Sequence, residues 1–148
     1  MYTDSHIAAL AAEELRDRRA SAQRLVESGR VAATRAAAEL RPFAAVACRL
    51  RADLADLRDE VAAIRNSRAT ICGTFSDPGE ACARAMVADD FCSLEATREV
   101  LTKARDRALD RAAEDPARAR RATRLATLAA AIGGCAPYVP AQPDRIAA

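Results

Sequence analysis

Aromatic side chains are nearly missing from this sequence. Its 148 residues hold no tryptophan, two tyrosines, three phenylalanines and one histidine, His6. With so few flat rings there is little to stack on an unpaired nucleobase. A lone histidine near the start of the chain argues against a Cys–His nucleophile, which needs its base alongside. Five glycines are too few and too scattered for a phosphate-cradling loop. No apolar run is long enough to span a bilayer. The first fifteen residues lack the basic-then-apolar order of a secretory signal and carry Glu13 and Glu14 early. A cytoplasmic location, or a place in a phage-like particle, is therefore expected, without a membrane partner.

Strand-like alternation of β-branched residues is also missing. What is present is alanine, which supplies about half of a 51% hydrophobic content. Alanine is the best helix former and a poor filler of cores. The fold class expected is all-α: an elongated bundle or set of coiled-coil-like hairpins, of four to five helices with thin interfaces. Among 23 basic residues only Lys103 is a lysine. GC-rich bacterial or phage genes impose that bias without any selection for phosphate binding. The net charge of +2 is too mild to demand a nucleic acid partner.

Apolar or small residues recur from Leu40 through Phe43, Ala47, Leu50, Leu54, Leu57, Val61 and Ile64, alternating steps of three and four. That is the seven-residue repeat that keeps one helix seam against a partner. With Leu54 and Val61 at position a, Asp53 and Glu60 fall at g, and Arg51, Arg58 and Arg65 at e. A parallel self-pair sets Asp53 against Arg58 and Glu60 against Arg65, whereas an antiparallel one sets like charges together. Each exposed pair is worth only ~0.3–0.5 kcal/mol, but the sign repeats. The seam Leu50, Leu54, Leu57, Val61 and Ile64 thus predicts a parallel homo-oligomer. An ordinary intramolecular bundle uses the same spacing, and that plainer reading stands beside it.

One helical domain is expected over 1–134, followed by an extended tail over 135–148. Thr3, Asp4 and Ser5 offer caps for a first helix, and Gly29 a stop. Long N-terminal helices over 5–66 follow, with Pro42 inside a kinked but continuous one. A loop and short helix cover 70–90, the helix opening at Asp77–Pro78. Ser93 caps a helix of 94–114, turned inward through Leu94, Val100, Leu101, Ala104, Ala108 and Ala112. Asp115–Pro116 starts a last helix to Ile132, closing a hairpin over 94–132 that Gly133 and Gly134 stop. The tail around Tyr138 is expected to dock on a neighbouring chain.

Cys72, Cys82 and Cys92 recur every ten residues, with Cys48 and Cys135 far off. Zinc wants close pairs and none exists, so neither a metal nor another cofactor is expected; small buried cysteine is the better reading, with a disulfide among Cys72, Cys82 and Cys92 the middle case. The carboxylates Asp53, Asp56, Asp59 and Glu60, and Asp89 and Asp90, read as a solvated helix face and turn. No enzyme is expected.

The most suggestive polar group is Arg118, Arg120, Arg121 and Arg124. A helical wheel sets Arg120 and Arg124 opposite Leu125, Leu128 and Ile132, facing solvent. It sets Arg118 and Arg121 towards Asp106, Asp110 or Glu114. Phosphate contact at a helix start is the functional reading, and intramolecular pairing the plain one. Function is thus expected to be that of a non-enzymatic helical interaction protein. It would be an assembly or adaptor component, possible as a bacterial or phage structural part. The alternative is a nucleic-acid-binding accessory protein touching phosphates through the Arg118–Arg124 group.

Overall fold

The Thr3 hydroxyl accepts a hydrogen bond from the His6 amide and opens helix α1, Asp4–Glu27. A computed structural model describes residues 3–52 and 88–141 of the chain. Burial in α1 peaks over Ala11, Ala12, Glu14 and Leu15 and then fades, so that Leu25 is 38% exposed. Gly29, at φ 72°, ends α1 as expected: its amide and that of Arg30 reach back to the carbonyls of Val26 and Leu25. These are the paired bonds of a left-handed helix stop.

Helix α2, Ala33–Arg49, continues through Pro42. The missing backbone bond costs ~3 kcal/mol in a helix interior. Six consecutive residues just beyond it, Phe43 to Cys48, are all buried, which offsets that loss. The long seam is corrected here. α2 does not continue from Leu40 into Leu54, because Leu50 is its cap and Arg51 turns left-handed at φ 62°. The Arg51 amide bonds Cys48 O and the Ala52 amide bonds Ala47 O, closing the same kind of stop as at Gly29. An arginine takes the conformation usually given to glycine, with Ala52 and Ala47 buried beside the turn. Leu54, Leu57, Val61 and Ile64, with the loop and short helix expected before residue 88, lie outside the described residues.

Ser93 caps α3, Leu94–Glu114, by accepting from the Ala96 amide. Asp115 caps a single 3₁₀ turn at Pro116–Arg118, which leads into α4, Ala119–Ile132. The inward stripe of α3 differs from the one expected. Its most buried members are Thr97, Leu101 and Arg105, while Val100, Ala104 and Ala108 are only partly covered. Thr97 enters the interior because its hydroxyl donates to Ser93 O at 2.7 Å. Arg105 enters because the tail lies over it and offers the Ala136 carbonyl.

The chain is all-α, its helices packed against one another in a ring: α1 on α2, α2 on α3, α3 on α4, and α4 back on α1. Among the described residues there is no strand. The core joins Leu15, Phe43, Val46, Leu101, Leu125 and Leu128 across all four helices, with alanines filling the gaps. Arg49 bonds Asp89 and sets the end of α2 beside the start of α3, so these two helices run in opposite directions. Among the described residues no helix is long and apolar enough to cross a membrane.

Candidate functional site

Two segments carry the same spacing with opposite charge. On α1, Glu13, Glu14 and Asp17 fall at i, i+1 and i+4; on α4, Arg120, Arg121 and Arg124 do so. Where α1 crosses α4 they meet. Arg124 lies 2.6 Å from Glu14, 2.7 Å from Glu13 and 2.7 Å from Asp17. The other Glu14 oxygen takes Arg18 at 2.8 Å and Arg121 at 3.3 Å, and Arg120 reaches Glu13 at 3.2 Å. Glu14 is 1% exposed and Arg124 5%.

Burial works against the charge of Arg124, yet Glu14 and Asp17 outweigh it and raise its pKa above the ordinary arginine value. Arg18 goes the other way. Its burial outweighs the help of Glu14, the charges of Arg121 and Arg124 add to the loss, and its pKa is lowered. The Arg18 guanidinium also stacks on the Phe43 ring at 3.6 Å, where the negative ring face compensates part of the lost hydration. Both Glu14 oxygens are occupied by guanidinium groups. A carboxylate held this way ties α1 and α4 together where they cross.

The wheel reading of α4 is corrected for Arg124, which is buried among carboxylates of α1 and does not face solvent. Arg120 is 86% exposed, as expected, though it leans on Glu13. Arg118 pairs with Asp115 and Arg121 with Glu14, neither with Asp106, Asp110 or Glu114. The reason is reach: long arginine stems carry their heads away from the side on which their Cα sits. The matched spacings of the two segments were the available signal.

Leu50, the first seam residue, is partly buried against the core as the cap of α2. Cys48 is buried in that core, and Cys92 and Cys135 are thiols at its edge; Cys72 and Cys82 lie outside the described residues. Among the described residues no three His, Cys, Asp or Glu side chains are grouped to hold a metal ion.

The tail docks on its own chain. Tyr138 donates to Asp110 at 2.7 Å, the Ala141 amide donates to the same oxygen, and Arg98 donates to Gly133 O. The bond to Asp110, then burial, then the charges of Asp110 and Asp106 raise the Tyr138 pKa. This contact holds below the ordinary tyrosine range and is lost only as pH rises through the raised value. Within its own chain, Tyr138 thus straps the start of the tail to α3.

Beside the charged cluster lies an open groove of about 970 Å³. Its floor is Pro42 and Phe43 of α2, Val100, Ala104 and Ala108 of α3, and Leu125 of α4. Lys103, Arg107 and Arg111 stand on the α3 side, with Arg118 and Arg121 on the α4 side. Glu39 is the one acidic residue in the lining. No protein-family model matches the chain, and neither a curated protein nor a solved structure matches it.

Proposed function

We propose that the protein is a non-enzymatic helical interaction module, an assembly or adaptor component that works by pairing helices. A cytoplasmic site or a phage-like particle would suit it. The observation that carries this reading is the three-and-four spacing of Leu54, Leu57, Val61 and Ile64 with opposite charges at the flanking positions. Helix α2 ends at Arg49 with Leu50 as its cap, so the pairing positions are Leu54, Leu57, Val61 and Ile64. Phosphate contact through Arg118, Arg120, Arg121 and Arg124 is the weaker reading, because each of the four leans on a carboxylate of its own chain.

Charge reversal tests both pairing and direction. Four g–e pairs per parallel dimer, at ~0.3–0.5 kcal/mol each, make their loss worth about tenfold in association. Sedimentation velocity of Asp53→Arg/Glu60→Arg is expected to show that fall. Adding Arg58→Glu/Arg65→Glu is expected to restore association, since the reversed pairs are again opposite in sign. A reversal without effect, or one the second pair of changes does not rescue, contradicts parallel self-pairing.

A further inference from the structure

Along the α3 rim of the groove, Lys103, Arg107 and Arg111 follow one another every fourth residue. At 1.5 Å per residue they form a line of about 12 Å, in steps of about 6 Å. Lys103 is tied to Glu99. No carboxylate among the described residues pairs with Arg107 or Arg111, and both are exposed. Across the floor, Arg118 and Arg121 are each shared with a carboxylate, but both still border the same space. Between the rims run small or partly covered apolar residues: Pro42, Val100, Ala104 and Ala108. Alanine at two successive turns of α3 leaves this part of the lining without bulky side chains.

A single anionic head group calls for cations that converge on one point. These are strung out in a row, at the step between carboxylates spaced i and i+4 on a helix. A nucleic acid strand also carries charges in a row, but it has no use for an apolar floor without a stacking ring. Phe43 is 4% exposed and lies beneath Arg18. We infer that the groove docks an acidic amphipathic helix of a partner protein, its apolar stripe on Val100, Ala104 and Ala108 and its carboxylates on Arg107 and Arg111. This is the helix-in-groove mode of recognition, with charge setting which helix is accepted. It uses residues other than the seam, so its failure and the failure of self-pairing are separate results.

The probe is a fluorescein-labelled peptide of about 14 residues, long enough for nearly four helical turns, with leucine on one stripe and glutamate along its edge. A version with glutamine for glutamate and a labelled single-stranded DNA are run beside it, with fluorescence anisotropy at low and moderate salt. The acidic peptide is expected to bind and to weaken as salt rises. The glutamine version is expected to bind at least about tenfold more weakly. Arg107→Glu/Arg111→Glu and the milder Arg107→Gln/Arg111→Gln are both expected to lose the acidic peptide while keeping the helical circular dichroism of the parent. Three results overturn the inference: no binding of the acidic peptide, binding unchanged in both variants, or DNA binding more tightly than the peptide and lost with the same changes.

Discussion

Arg124→Ala is expected to lower the unfolding free energy by about 3–5 kcal/mol, read by urea denaturation followed at the helical circular dichroism band. Glu14 is 1% exposed and takes a hydrogen bond from Arg124 Nε, with Arg124 Nη2 in ion-pair contact with the same oxygen. Removing the guanidinium leaves that buried carboxylate to Arg18 and Arg121 alone, and Arg121 stands 3.3 Å away. The size of the loss reflects the stranded partner more than the worth of the pair. Glu14→Gln should cost a comparable amount, and the two changes together clearly less than their sum, because the second removes the charge stranded by the first. Simple addition of the two losses would show that the residues do not act as one unit. An exposed pair such as Lys103 with Glu99 gives the contrast: breaking it should change stability by less than about 0.5 kcal/mol.

Leu128→Ala is expected to cost about 4–5 kcal/mol by the same measurement. Leu128 is fully buried on α4, in a core where most other members are alanine or a short aliphatic side chain. A cavity is relieved when long neighbours swing into it, and alanines have nothing to swing. The cost should therefore sit in the upper half of the range for a leucine truncation. A typical domain is stable by 5–15 kcal/mol, so one such change consumes much of the total. Leu128→Met, which nearly keeps the volume and can adapt its shape, should cost less than about 1.5 kcal/mol. A loss under 1 kcal/mol for Leu128→Ala would mean that the alanine-rich core collapses freely around a gap.

The helix boundaries that could be read in advance are those written in local chemistry. Ser93 before Leu94, Asp115 before Pro116, and glycine at 29 and 133 each satisfy or release backbone groups within a few residues of themselves. The stop at Leu50 could not be read that way. It has the same two backbone bonds as the stop at Gly29, yet its left-handed position is filled by Arg51. Nothing nearby in sequence marks that arginine. Burial of Ala47 and Ala52 against the bundle holds the turn.

The polar residues were legible only in part. A wheel drawn for α4 alone sends Arg124 to solvent, since it knows nothing of α1. The pairing depends on Glu14, 110 residues away, arriving at the crossing point. Thr97 and Arg105 were missed for a related reason: each is buried because a specific carbonyl, of Ser93 or of Ala136, is there to receive its donor. The groove was not legible either. Its cations come from both sides of the α3–α4 turn, and only the packed helices set Arg107 and Arg121 around one floor.

Helix pairing through Leu54, Leu57, Val61 and Ile64 is the claim on which the functional reading turns, and the mass of the unmodified chain in solution tests it most directly. Sedimentation equilibrium of the purified protein over a wide range of loading concentrations is predicted to give an average mass that climbs from near 15.8 kDa towards a whole multiple of it. A mass of 15.8 kDa at every concentration would contradict it.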